Sequence, residues 1–237
     1  MIPLPLSDDT PRQRTPVLTI VLIVVNVAIW LYQLSVGVEA SIVLYGAVPG
    51  FVLHGAREGT LALGDGQILH VAQAVPWPFT ILTAMFTHGG WMHLIGNMWF
   101  LWIFGDNLED RMGRPRFLVF YLLCGLIAAA AQILATPSSL VPMVGASGAI
   151  AGVLGGYILL YPHARVRCLW ILIIFITTIR VPAWLLLGLW FVSQFAIPES
   201  AGVAYVAHVA GFIAGLVLVK LFVTSAGAPP RGLRAAA

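Results

Sequence analysis

The most constraining feature of this sequence is an uncharged apolar run from Val17 to Leu34, 18 residues in which Asn26 and Gln33 are the strongly polar interruptions. At 1.5 Å per residue a helix of that length nearly matches a hydrocarbon core of about 30 Å. Inside lipid a backbone cannot hydrogen-bond to water, so each such run has to satisfy its own N–H and C=O groups, and an uncharged run of this length does so as a helix. Five further apolar segments follow, at about 90–108, 116–135, 146–161, 170–197 and 203–223. The whole chain is 60% hydrophobic and 9% charged, where a soluble domain carries about 25% charged residues. These observations predict an all-α membrane protein, a single six-span bundle, with lipid as its main solvent.

The segment Val38-Glu39-Ala40 would suit signal cleavage, but signal h-regions run to about 7–15 residues, so the first run is read as a retained span. Residues 36–78 break the hydropathy pattern with Gly37, Pro49, Gly50, Arg57, Glu58 and Asp65. They are expected to form a long first external loop resting on the membrane surface in short pieces. Between residues 168 and 197, Arg180 and Pro182 interrupt the apolar pattern. One span centred on 183–197 is expected there, with 168–180 as an interfacial approach.

Charge sets the orientation. With six spans and an inner N-terminus, Arg12, Arg14, Arg111, Arg114, Arg116, Arg165, Arg167, Lys220, Arg231 and Arg234 all fall on the inner side, ten of the chain's 12 basic residues. The organisation predicted is a cytosolic N-terminal segment at 1–15, a six-span domain at 16–223 and a disordered cytosolic tail at 224–237, so both termini are cytosolic. A net charge of +3 spread in short groups beside apolar runs fits membrane orientation and gives no nucleic-acid face. Cys124 and Cys168 lie in apolar stretches and imply no disulfide framework. A preference for arginine over lysine and no recognisable organelle presequence point to a bacterial plasma (inner) membrane.

Polar side chains inside spans are costly and therefore mark candidate sites. His93 and Asn97 stand one turn apart on one face of the second span, where two donors suit a developing negative charge or merely satisfy each other. Ser147 opens the fourth span within Gly145-Ala146-Ser147-Gly148, where a serine ordinarily caps the helix. Beside it Gly148, Ala151, Gly152, Gly155 and Gly156 form a small-residue stripe. In the sixth span His208, Gly211 and Gly215 share a face. Packing that face on the glycine stripe brings His208 toward Ser147, a contact that spacing alone leaves open. A serine hydroxyl becomes a competent nucleophile when a base takes its proton, and histidine titrates in the useful range. No carboxylate sits near these helix entries, so the arrangement would be a dyad.

These residues resemble the rhomboid family of intramembrane serine proteases. The match runs through HGGWMHLIGN at 88–97, the Gly105–Gly113 segment with Glu109 and Arg111, GASG at 145–148 and AHVAGFIAG at 207–215, covering residues 80–223 in order. The resemblance implies Ser147 as nucleophile, His208 as general base, and an oxyanion hole from His93, Asn97 and the Ser147 backbone N–H. It gives His88 a structural place beside Gly145, Gly148, Gly211 and Gly215. It also implies single-span membrane proteins as substrates, entering beside the fifth span, with no cofactor. Some members carry an aromatic residue four positions after the serine that stacks on the base. Here that position is Ala151, so other packing must orient His208. A metal site at His88, His93 and His208 lacks a carboxylate and an HExxH pattern. A transporter would show inverted repeats. A catalytically inactive, substrate-binding or quality-control relative is expected to lose the serine or the histidine, and both are present.

Overall fold

The computed structural model describes residues 3–62, 68–172, 175–196 and 203–223. Helix α1 covers Val17–Val36, and α2 and α3 cover Val38–Tyr45 and Pro49–His54. Trp77–Ala84 forms α4, Trp91–Met112 α5 and Arg114–Ala135 α6. Ser147–Leu160, Ala183–Gln194 and Tyr205–Phe222 form α7, α8 and α9. The strands are β1 at Leu4–Asp8, β2 at Glu58–Ala62, β3 at Ile68–Ala72, β4 at Arg165–Leu172 and β5 at Phe175–Pro182.

Helices α1, α5, α6, α7 and α9 overlap five of the apolar segments of the sequence, and α8 takes up the second half of the segment at 170–197. Helix α1 turns its polar side chains inward and apolar ones outward: Thr19, Asn26 and Gln33 are buried beside Leu22 and Trp30, while Val24 and Leu31 are exposed. That inversion is stable only where the surroundings are as apolar as the side chains, because water would drive Val24 and Leu31 inward. The outward faces of α6 and α9 carry Leu134, Val217 and Leu221 in the same way. Among the described residues α1, α6 and α9 are long and apolar enough to cross a membrane. Helix α5 has 22 residues but carries Asp106, Glu109, Asp110 and Arg111 in its last two turns. Helices α7 and α8 are apolar but have 14 and 12 residues.

The architecture corrects the all-α expectation, because among the described residues five strands accompany the helices. Strand β4 lies between β1 and β5 in an antiparallel sheet, with Leu4 opposite Leu169 and Arg167 opposite Arg180. The stretch expected as an interfacial approach, 168–180, therefore falls on the paired strands β4 and β5, and the segment expected as the fifth span becomes helical at Ala183. Val166, Ile171, Ile176, Thr177, Thr178, Ile179 and Val181 supply the β-branched side chains that favour a pleated strand. The first 15 residues likewise include a strand. In the first loop α2 and α3 are followed by the hairpin β2–β3, with Thr60 opposite His70. The expected tail at 224–237 lies outside the described residues.

The inner core is aromatic. Phe104, Phe117, Phe120, Tyr121, Leu154 and Tyr157 are fully buried where α5, α6, α7 and α9 meet. Glu109 ties the first helix to this unit: its carboxylate accepts from the Leu18 and Thr19 N–H groups at 2.9 and 2.7 Å and from Thr19 Oγ1 at 2.8 Å. Pro16 offers α1 no side-chain cap, so a carboxylate from α5 satisfies its otherwise free amides.

Candidate active site

Ser147 is the first residue of α7. Ala146 occupies the N-cap position and no side chain caps this helix, so the serine hydroxyl is not spent as a cap. The chain reaches it through Gly145, whose φ of +119° lies in the region that L side chains avoid. The Gly145 N–H donates to the Ala84 carbonyl at 2.8 Å. A Cβ at Gly145 would stand 2.6 Å from the His93 ring, so glycine here lets α5 deliver His93 beside the serine.

Helix α9 arrives at the same level from the other side. Its entry is held by Gln132 of α6, whose Oε1 accepts from the Ala207 N–H at 3.2 Å. At Gly211 and Gly215 a Cβ would collide with the carbonyl oxygens of Gly148 and Gly152, and at Gly155 with that of Phe212. The two helices thus touch backbone to backbone along the stripe that the sequence marks. That contact carries His208 to Ser147: His208 Nε2 and Ser147 Oγ are 2.8 Å apart.

The far side of the imidazole is also engaged. His208 Nδ1 lies 2.8 Å from Oε1 of Gln194, the last residue of α8. Gln194 is buried, and Trp190, one turn earlier, sets its ring 6.1 Å from that of His208. Sequence reasoning missed both. The signal for Gln194 was the same as for His93, a strongly polar side chain in an apolar run. Ala151 is fully buried, and α8 supplies the aromatic neighbour that this position lacks.

The two α5 residues differ in their surroundings. The Gly89 N–H donates to His93 Nδ1 at 3.4 Å, which places the proton of a neutral ring on Nε2, the edge facing Gly145. Asn97 is 7% exposed and its Nδ2 has no hydrogen-bond partner, a buried donor left free. His88 is fully buried with its ring 5.2 Å from that of His93. Gln33 straps this junction to α1, accepting from the His88 N–H at 2.9 Å and donating to its carbonyl at 3.0 Å. A cavity of about 30 Å³ reaches Ser147 between Met85, Ala128, Met143, Gly145 and Ala207. It has room for about one water molecule. Among the described residues no group of three His, Cys, Asp or Glu gathers as a metal site.

Helices that turn hydrocarbon side chains outward and bring a serine and a histidine together within the bundle define a membrane protein with a hydrogen-bonded serine–histidine pair. The chain belongs to the rhomboid family, whose Rhomboid domain model matches residues 76–225. It is 30% identical over 143 residues to "Rhomboid protein 1, mitochondrial" of Saccharomyces cerevisiae, covering 59% of this chain and 34% of that protein. It is 29% identical over 168 residues to "Rhomboid-like protein 11, chloroplastic" of Arabidopsis thaliana, covering 65% of this chain and 55% of that protein. Against "Rhomboid-like protease 3" of Toxoplasma gondii it is 30% identical over 145 residues, with 59% of this chain and 49% of that protein covered. The matches therefore span from about a third to just over half of those relatives. Organelle names among them give no support to the expected bacterial plasma membrane.

Proposed function

We propose that this chain is an intramembrane serine endopeptidase that cleaves transmembrane segments of single-span membrane proteins, using Ser147 as nucleophile and His208 as base. The observation that carries the reading is the 2.8 Å contact between Ser147 Oγ and His208 Nε2, made inside a bundle whose outer surface is apolar. In the first step His208 Nε2 takes the hydroxyl proton as Oγ attacks the scissile carbonyl carbon. The negative charge that forms on the carbonyl oxygen falls to Asn97 Nδ2, His93 Nε2–H and the Ser147 backbone N–H. Collapse of the tetrahedral intermediate returns the proton from His208 to the departing amine. A water molecule, deprotonated by the same nitrogen, then releases the acyl group from Ser147.

In this reading the bundle has six spans, α1, α5, α6, α7, α8 and α9, with both termini on the cytosolic side. With 14 residues α7 is only about 21 Å long, so a helix of this length begins below one lipid boundary rather than at it. The cavity at Ser147 fits water, and a substrate helix has to open the bundle and unwind to present a carbonyl there.

The test is labelling of the full-length protein in liposomes with a fluorophosphonate, alongside cleavage of a reporter transmembrane helix. Ser147 is the expected adduct site, and Ser147→Ala and His208→Ala are each expected to abolish labelling and cleavage with the fold intact. Cleavage that survives either substitution ends the dyad. A folded wild-type protein that neither labels nor cleaves favours an inactive membrane-protein-binding module.

A further inference from the structure

In the proposed dyad His208 must keep Nε2 free of a proton while facing Ser147, and the aromatic support that some family members carry four positions after the serine is absent here, where the residue is Ala151. We infer that Gln194 is the positioning residue that fixes this tautomer, so that α8 holds the catalytic base in register. The inference rests on the serine protease reading and names a group that reading does not require.

The hydrogen-bond directions follow from the partners around the amide. Gln194 Nε2 lies 3.0 Å from the Trp190 carbonyl and 3.2 Å from Ser193 Oγ. The Ser193 hydroxyl itself donates to the Trp190 carbonyl at 2.6 Å, so its lone pair is turned toward the glutamine. Both groups near the NH2 end are acceptors, and this fixes which end of the amide faces the histidine. The carbonyl end, Oε1, points at His208 Nδ1 from 2.8 Å. An amide oxygen only accepts, so Nδ1 carries the hydrogen. The neutral imidazole has one hydrogen, and Nε2 is left with its lone pair toward Ser147 Oγ at 2.8 Å. When Nε2 takes the serine proton, Nδ1 keeps its own, and the Gln194 dipole lies against the imidazolium without accepting a proton from it. Trp190, on the same helix, limits rotation of the ring from the side.

The arrangement also joins two helices, α8 and α9. His208 is on α9 and both of its orienting groups are on α8, so any outward movement of α8 withdraws the acceptor from Nδ1 and frees the ring to turn. Competence of the base therefore depends on α8 being seated against α9.

The experiment uses the full chain in liposomes and compares wild type, Gln194→Leu, Gln194→Glu and Ser147→Ala for the rate of fluorophosphonate labelling and for thermal unfolding. Gln194→Leu keeps the size and removes the acceptor. It is expected to slow labelling about 10- to 100-fold, by analogy with the loss of a group that orients a metal-bound histidine, with little change in unfolding. Gln194→Glu restores an acceptor at the same reach and is expected to recover most of that rate, which a packing role alone would not produce. If Gln194→Leu fails to fold, Gln194→Met takes its place with the same expectation. Labelling at the wild-type rate in the folded Leu or Met variant, or no recovery in the Glu variant, overturns the inference. Failure of wild type itself to label, with Ser147→Ala indistinguishable from it, overturns the protease reading instead.

Discussion

Gly215 of α9 lies so close to the carbonyl oxygen of Gly152 in α7 that no Cβ fits between the two helices. Gly211 stands in the same relation to Gly148, one turn nearer the site, so the backbone contact sets how far His208 projects toward Ser147. Gly215→Ala is expected to push the helices apart and destabilise the bundle by about 1–3 kcal/mol, the cost of overpacking a filled contact. It should slow labelling of Ser147 as well. Gly188 on α8 is the control, because a Cβ there meets nothing within 4 Å. Gly188→Ala should be neutral or gain up to about 1 kcal/mol from helix propensity. Unfolding of the three proteins in detergent decides the matter, and equal midpoints would show that the glycine contact does not hold the pair.

Asn97 separates catalytic from structural use of a buried polar group. Its Nδ2 is buried without a partner, a state that costs free energy in the resting protein. Asn97→Ala removes that unpaired donor and is expected to leave thermal stability within about 1 kcal/mol of wild type, since little bonding is lost. If the chain is the proposed protease, cleavage should fall by about 10²- to 10³-fold, the usual cost of one oxyanion donor, without vanishing, because His93 and the Ser147 N–H would remain. The comparison of reporter cleavage with unfolding checks both halves. A large stability loss with unchanged cleavage would remove Asn97 from the site.

Much of this arrangement was legible in the sequence, for a reason tied to the solvent. In an apolar span a serine, a histidine or an asparagine is conspicuous, and the i, i+3, i+7 spacing of His208, Gly211 and Gly215 gave the packing face of α9. Gln194 followed the same rule but stood near the end of its span, 14 positions before the histidine it meets, and no local pattern announces that contact. The β4–β5 hairpin escaped hydropathy because Leu169, Trp170, Ile171 and Ile176 are as apolar as a span. β-branching was the available signal there. The pairing of β1 with β4 joins Leu4 to Leu169, a contact of long sequence separation that neither segment specifies alone.

Glu109 is expected to matter for stability more than for chemistry. It is 4% exposed, accepts three hydrogen bonds from the start of α1 and lies 3.8 Å from Arg114 Nε. Bonds to a charged acceptor contribute about 1.5–3 kcal/mol each before shared losses are counted. Glu109→Ala should therefore destabilise by about 3 kcal/mol or more and loosen the N-terminal end of α1. Thr19→Val, which removes only the hydroxyl bond, should cost about 1 kcal/mol. Denaturant titration of both variants supplies the measurement, and equal losses would mean that the backbone amides of Leu18 and Thr19 find other acceptors.

Asp8 gives the clearest pH signature outside the spans. Lying on β1, it accepts from the Tyr157 hydroxyl and, at 2.8 Å, from Asn107 Nδ2. Burial raises its pKa above the ordinary 3.8, the Asp9 charge adds to the rise, and the bonds from Tyr157 and Thr10 oppose it without cancelling it. A carboxyl that holds its proton more tightly folded than unfolded stabilises the fold most at low pH. That contribution is lost as pH rises from the unfolded value through the folded one. Wild-type stability should therefore fall relative to Asp8→Asn as the pH is raised from about 4 toward neutrality, because the amide cannot titrate. Thermal midpoints of the two proteins across that range provide the check. Parallel curves, or a gap that widens in favour of wild type as pH rises, would show that the Tyr157 and Asn107 bonds outweigh burial at this strand.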